Sequence, residues 1–208
     1  MYNFRFDLNQ ENILSEYLDN IYKSKKLEFE RIFNIKKQHQ GIDIIIQHNS
    51  VNYLVDEKAQ LHYLNRDLPT FTFELSYLNK DKAPKEGWLF DANKRTQYYF
   101  LITGIFLKEN KAKLLSVDDI EKLKITSVNR TKLINHLDNI GLSRIKLEVY
   151  DNALRTSESF GKNIIPELNE KNTGLLYFTE HLTEKPINLQ LRLKYLIEQN
   201  IAKKFHYL

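Results

Sequence analysis

Residues 42–60, IDIIIQHNSVNYLVDEKAQ, form two apolar runs that are separated by the polar pair Asn49 and Ser50. Branched and aromatic residues dominate both runs, which is typical of β-strands, and a two-residue polar break is typical of a hairpin turn. Each run also contains an aspartate, Asp43 in the first and Asp56 in the second. A buried strand normally has another aliphatic residue at such a position, so the two acids require an explanation.

The register of the predicted hairpin places the two acids opposite each other. If the turn consists of the two polar residues, Asp43 lies directly across from Asp56, whereas a three-residue loop would shift the pairing. Opposed side chains are about 5 Å apart, and like charges at that separation destabilise a sheet. A divalent cation would remove this repulsion, since Mg²⁺ binds one or two protein carboxylates and completes its octahedron with water and phosphate. The hairpin therefore predicts a metal site.

A lysine is expected beside this pair of acids. Side chains alternate between the two faces of a strand, so Asp56, Lys58 and Gln60 share one face. The alternative is a hairpin with one face in water, where Asp43, Asp56 and Lys58 form a solvated salt-bridge cluster. The nearly all-aliphatic run IDIII favours burial on both faces instead, and buried acids need a partner.

The first half of the chain predicts one helix followed by four strands. Apolar residues recur at the three-to-four spacing of an amphipathic helix over residues 10–24. Branched and aromatic runs predict strands at residues 42–46, 51–59, 70–78 and 97–107. The segment 79–87 contains Asn, Lys, Asp, Pro and Gly without periodicity, which predicts an exposed loop.

The second half predicts mainly helices. Ser116 begins the segment SVDDIEKLK and Gly141 ends TKLINHLDNIG, and both segments carry helix start or stop signals. A closing helix is expected at residues 189–205 and an edge strand at residues 174–178. The predicted fold class is α/β, in the α+β sense, with a mixed central sheet that is flanked by helices.

Length and composition limit the domain organisation and the compartment. The 208 residues, 42% of them hydrophobic, suffice for one domain over residues 1–208, with a core at about 10–107 and a helical C-terminal extension at about 108–208. The absence of cysteine excludes disulfides, thiolate zinc sites and cysteine nucleophiles, and favours the cytoplasm. We expect no secretion signal and no membrane insertion, because no segment is long and apolar enough.

Several other function classes lack support. The six histidines show no close ligand spacing, and no glycine-rich loop follows a predicted strand. Histidine-based zinc sites, P-loops and dinucleotide-binding motifs are therefore not expected. The net charge of +4 and the pI of about 9.0 favour an anionic partner only weakly.

The order of these features resembles the PD-(D/E)XK nuclease superfamily, which has the restriction-endonuclease-like fold. In that superfamily a helix precedes an antiparallel hairpin with Asp and (Asp/Glu)-x-Lys, here within GID and DEK. The segments TFTFELSYL, GWLFD and KRTQYYFLI resemble its next strand, a Gly-Trp loop and a further strand. The resemblance covers about residues 10–107, and the later residues are similar only in outline to the tail of related bacterial proteins. The middle motif residue is usually apolar but is Glu57 here, so either Glu57 has a buried partner or that face is partly open.

The resemblance implies a hydrolase that depends on Mg²⁺ or Mn²⁺ and cleaves the phosphodiester bonds of nucleic acid, DNA above all. It implies that Asp43 and Asp56 bind the metal, together with the backbone carbonyl of Glu57. Lys58 would orient or activate the attacking water and stabilise the charge on the phosphorane. Gln60 would support the site, or else be an exposed glutamine at a strand end.

Two further acids are candidates by the same resemblance. Glu74 is either another ligand, or partner of a ligand, or unrelated to the site. A helix acid often completes the site, and Glu16 is preferred over Glu11 and Asp19, although a solvated helix face explains all three. Trp88 is more readily explained by core packing than by base stacking.

Two alternatives to an active nuclease stay open. One is a catalytically inactive module of the same fold that binds nucleic acid, and the other is a scaffold that binds a protein partner. The sequence does not decide between DNA and RNA or between single and double strands. Cleavage at paired half-sites would require a homodimer.

Overall fold

The computed structural model describes residues 4–207, with the side chains of residues 8–207 except that of residue 110. The described chain belongs to the α+β type of α/β proteins, as predicted, with a mixed sheet and helices. The α-helices are α1 (Phe4–Ser24), α2 (Ile35–His39), α3 (Arg130–Asn139), α4 (Arg144–Thr156) and α5 (Leu193–Glu198). The strands are β1 (Glu28–Arg31), β2 (Ile44–His48), β3 (Val51–Ala59), β4 (Thr70–Leu78), β5 (Pro84–Glu86), β6 (Tyr98–Leu107), β7 (Ile120–Asn129), β8 (Gly161–Asn163), β9 (Gly174–Phe178), β10 (Ile187–Arg192) and β11 (Ala202–Tyr207).

The chain forms two compact units that interleave in the sequence. The first unit comprises the described residues of Met1–Leu68, Thr96–Ser127 and Lys204–Leu208. The second unit comprises Pro69–Arg95 and Val128–Lys203. Neither unit coincides with the predicted core at about 10–107 or with the predicted extension at about 108–208.

A six-stranded sheet in the order β1-β2-β3-β6-β7-β11 contains the hairpin. Strands β2 and β3 pair antiparallel, whereas β3 and β6 pair parallel, which makes this sheet mixed. The hairpin turn is formed by Asn49 and Ser50, whose φ angles of 50° and 61° are of the positive sign that a type I′ turn requires. Ile44 pairs with Val55, so the predicted two-residue turn and its register are confirmed.

Helix α1 packs its apolar stripe in the core of the first unit. Leu14, Leu18 and Tyr22 recur every four residues and are at most 4% exposed. They belong to the same buried cluster as Ile44 and Val55 of the hairpin. The predicted helix over residues 10–24 is confirmed and begins earlier, at the start of α1.

The second sheet is antiparallel and has the order β5-β4-β10-β9-β8. Strand β4 has the predicted bounds but belongs to this sheet, not to the sheet of the hairpin. The segment 79–87, which was expected to be an exposed loop, contains β5. Strand β9 lies between β10 and β8, so the prediction of an edge strand at residues 174–178 is wrong.

The C-terminal half is less helical than predicted. Helix α3 forms at the TKLINHLDNIG segment, with Asn129 as its N-cap. In SVDDIEKLK, however, Ser116 caps only one 3₁₀ turn, Val117–Asp119, before β7 begins. The closing helix at residues 189–205 is also wrong, because that segment contains the end of β10, the short α5 and most of β11.

The reason for the last error is a coincidence of spacing. Leu189, Leu191 and Leu193 are buried at every second residue, which is the period of a strand. Leu193 and Leu196 are buried within the helix that follows, so apolar residues of two elements together imitate one helical stripe. Within residues 4–207, no helix combines the length and the apolar composition that crossing a membrane requires.

Candidate functional site

Asp43 and Asp56 meet where the strands of the hairpin begin to separate. Regular pairing stops at Ile44 and Val55, but the Asp43 N–H still donates to the Val55 carbonyl at 2.9 Å. The carboxylate of Asp43 accepts a hydrogen bond from the Glu57 N–H at 2.8 Å. A side-chain oxygen of Asp43 thus takes the place of a backbone acceptor and brings this carboxylate beside Asp56, which is 2% exposed.

The pKa of the Asp43 carboxyl is raised in the folded protein. Burial raises the pKa of Asp43 to about 7, and the negative charge of Asp56 contributes in the same direction. The Lys58 ammonium and the Glu57 N–H act against this shift because they stabilise the charged form. The two acids that the sequence places opposite each other are therefore close enough for Asp56 to affect the pKa of Asp43.

The predicted lysine contacts the same pair of acids. Lys58 Nζ lies 2.6 Å from Asp56 Oδ1, and the Lys58 side chain is 32% exposed. This contact is the one expected from residues two apart on a strand, which share a face. Two acids and one amine thus converge on one point, where Asp56 is buried and Asp43 and Lys58 are partly exposed.

Glu57 points to the other face of β3 and has a buried partner. Its side chain is 8% exposed and accepts hydrogen bonds from Arg31 at 2.7 Å and from the Tyr22 hydroxyl at 2.6 Å. Arg31 also binds Asp19 at 2.6 Å. Of the two explanations that the sequence leaves open for an acid in the middle of the motif, the buried partner is the one that the structure contains.

Sequence reasoning did not find Arg31 or Tyr22. Arg31 stands in β1, 26 positions before Glu57, and the sequence does not indicate that the two strands place them together. The only local signal is a charged residue on the same strand face as Phe29, whose ring packs on Tyr22 at 5.3 Å. Asp19, considered as a metal ligand, is instead a partner of this arginine.

A cavity of about 420 Å³ opens beside Asp43 in the first unit. Its polar lining comes from α1, β1 and the hairpin region, and includes Glu11, Asn12, Ser15, Arg31, Asp43 and Glu57. Phe33, which also lines it, is 82% exposed. One of the two paired acids therefore faces a space that can admit a ligand.

The remaining predicted residues are placed as follows. Gln60 is half-buried just after β3, and its N–H donates to the Ile102 carbonyl at 3.0 Å. Glu16 is exposed on α1 and does not line the cavity, whereas Glu11 does. Among the residues with described side chains, no group of three or more His, Cys, Asp or Glu is arranged to hold a metal ion.

Glu74 and Trp88 lie in the second unit. Glu74 is half-buried in β4 and pairs with Asn188 of β10. Gly87 approaches it so closely that a Cβ atom on the glycine would lie 2.4 Å from the Glu74 carbonyl oxygen. Trp88 packs on Phe73 with ring centroids 5.6 Å apart, which agrees with the preference for core packing.

The donor set around the two acids fits a hard divalent cation. Two carboxylates and a backbone carbonyl are oxygen ligands of the kind that Mg²⁺ and Mn²⁺ bind. Because the N–H and C=O of one strand residue point toward the same neighbour, the Glu57 carbonyl points to the side on which its N–H meets Asp43. A cation held by these oxygens would also relieve the repulsion that raises the pKa of Asp43.

The raised pKa of Asp43, which burial and the neighbouring charge of Asp56 cause, predicts an unusual pH dependence of stability. The pKa of Asp43 is raised from 3.8 to about 7, so the folded protein binds a proton that the unfolded chain releases. In the absence of metal, the free energy of unfolding should therefore decrease as pH rises from about 4 to about 7. Urea denaturation in EDTA across this range measures it. Asp43→Asn should remove the dependence and the exposed-residue control Asp118→Asn should keep it; an unchanged slope in Asp43→Asn would contradict the assignment.

Comparisons of the chain with protein-family models, with curated proteins and with solved structures gave no match.

Proposed function

We propose that this chain is a metal-dependent nuclease that hydrolyses the phosphodiester bonds of nucleic acid, with DNA as its substrate. The observation that carries the proposal is the convergence of Asp43, Asp56 and Lys58 at the end of one hairpin, where Asp43 also lines an open cavity. The same convergence supports membership in the PD-(D/E)XK superfamily and a restriction-endonuclease-like arrangement of the sheet that carries it.

Each of the three side chains has a role in this proposal. Asp43 and Asp56, with the Glu57 carbonyl, would hold Mg²⁺ or Mn²⁺, which would lower the pKa of water and neutralise phosphate oxygens. Lys58, 2.6 Å from Asp56, orients the attacking water and stabilises the negative charge on the phosphorane. The water oxygen bonds to phosphorus while the bond to the 3′ oxygen breaks, which leaves a 5′-phosphate and a 3′-hydroxyl.

Removal of the metal tests this function directly. We expect the purified chain to nick or cut plasmid and linear DNA in Mg²⁺ or Mn²⁺, to stop in excess EDTA, and to resume when Mg²⁺ is restored. The products should carry 5′-phosphates and should therefore be joined by a DNA ligase. Retention of DNA without cleavage in every divalent cation would overturn the nuclease and favour an inactive binding module.

A further inference from the structure

A second cavity, of about 450 Å³, adjoins the first one in the same unit. It is formed by the segment that follows β3, including Tyr63 and Arg66, and by Lys113 from the segment that follows β6. Leu61 lines both cavities, so the space beside Asp43 and this second space meet at one side chain. A ligand that occupied both cavities would contact Leu61 between them.

The second cavity is suited to an anion with a planar group attached. Among the side chains described around it, three are basic, His62, Arg66 and Lys113, and none is acidic. All three are exposed at the surface of the cavity. Tyr63, which is 45% exposed, adds an aromatic ring to the same lining. Arg and Lys bind phosphate oxygens, and an exposed ring stacks with a nucleic-acid base.

The two segments that carry Arg66 and Lys113 are joined by hydrogen bonds. The side-chain amide of Asn65 donates to the Lys111 carbonyl at 2.9 Å, and its oxygen accepts from the Leu107 N–H at 2.8 Å. These bonds link the segment after β3 to the segment after β6, immediately beside both basic residues. The two backbone segments that carry Arg66 and Lys113 are therefore joined to each other by hydrogen bonds.

The second cavity is also close to the proposed reaction. Lys58 and Leu61 are three residues apart, so their Cα atoms are separated by at most about 11 Å. Consecutive nucleotides of one nucleic-acid strand can span this distance. The order along the two cavities is therefore Asp43 in the first, Leu61 in the lining of both, and the basic residues in the second.

We infer that the second cavity holds a phosphate and base of the nucleic-acid strand that flank the phosphodiester cleaved at Asp43 and Asp56. The inference rests on the proposed nuclease function and specifies its substrate as a polynucleotide strand, not a mononucleotide. Arg66 and Lys113 contact the flanking phosphate, and Tyr63 stacks on its base.

Binding in the absence of metal tests the inference apart from catalysis. A fluorescent single-stranded DNA oligonucleotide is titrated with the full chain in EDTA at several salt concentrations. Arg66→Ala with Lys113→Ala should weaken binding about tenfold or more and reduce the salt dependence by about 0.7 for each lost phosphate contact. Tyr63→Ala should weaken it at least about fivefold without changing the salt dependence. The control, Lys23→Ala with Lys204→Ala, removes the same charge from exposed lysines that line neither cavity.

Each outcome separates this inference from the nuclease proposal. Equal weakening by both double variants would show that only net charge matters and would overturn the inference. Displacement of the oligonucleotide by an equal concentration of a mononucleoside 5′-phosphate would overturn it as well. Cleavage by Asp56→Asn at the wild-type rate would instead overturn the nuclease, and the affinity measured in EDTA would still decide the role of the second cavity.

Discussion

Substitution of Asp56 by Asn should lower the rate of the proposed DNA cleavage by about 100- to 1000-fold, because it removes the partner of Lys58 and one of the two negative charges that we propose hold the metal. Asn has nearly the same shape, so packing around a residue that is 2% exposed should change little. Initial rates of plasmid nicking in saturating Mg²⁺ measure the effect.

A matched control is available in the same unit. Asp67 forms an ion pair with Lys124, as Asp56 does with Lys58, but it lines neither cavity. Asp67→Asn should therefore cleave DNA at close to the wild-type rate. A wild-type rate in Asp56→Asn, or an equal loss in both variants, would contradict the proposed site.

Lys58 allows the coupling between these groups to be measured. Lys58→Gln alone should slow cleavage by about 100-fold or more, since it removes the group that we propose orients water and stabilises charge. Residues that act as a unit are not additive, so Asp56→Asn with Lys58→Gln should be little slower than the slower single variant. Strictly multiplicative losses would show that the two side chains act independently.

Substitution of Arg31 by Met should lower the free energy of unfolding by about 3–5 kcal/mol. Glu57 and Asp19 would lose their common cation, and Glu57 is nearly buried, with an 8% exposed side chain. An unpaired buried carboxylate must either remain charged at a high cost or take up a proton. The midpoint and slope of urea denaturation, monitored by circular dichroism, measure the change.

Two comparisons make this measurement specific. Arg144 also binds two carboxylates, Glu86 and Glu148, but its side chain is 50% exposed, so Arg144→Met should cost no more than about 1 kcal/mol. Adding Glu57→Gln to Arg31→Met should recover part of the loss, because the amide is neutral and can still accept from Tyr22. A loss below about 1 kcal/mol in Arg31→Met would show that the network contributes little.

The hairpin could be predicted from the sequence because the signals that specify it lie in neighbouring residues. The two-residue turn and the strand period depend on neighbouring residues, and together they determine which side chains oppose each other. The convergence of Asp43, Asp56 and Lys58 follows from that register alone. What the register did not reveal is that Asp43 reaches Asp56 through its own side chain, after the backbone has left the regular ladder.

Two of the errors concern contacts between residues that are far apart in the sequence. Strand β4 was predicted with the correct bounds, yet besides the nearby β5 it pairs with β10, more than a hundred residues later. Nothing within residues 70–78 indicates which strand they pair with, since β-pairing depends on both partners. The ion pair of Arg31 and Glu57 was missed for the same reason.

The two edges of the first sheet have opposite charge. Edge strand β1 exposes Glu28 and Glu30, and edge strand β11 exposes Lys203 and Lys204. Two molecules that joined like edges symmetrically would bring acids against acids or lysines against lysines, which opposes a two-fold dimer built as one continuous sheet. A symmetric dimer of this protein, where it forms, therefore has to use a surface other than these two edges.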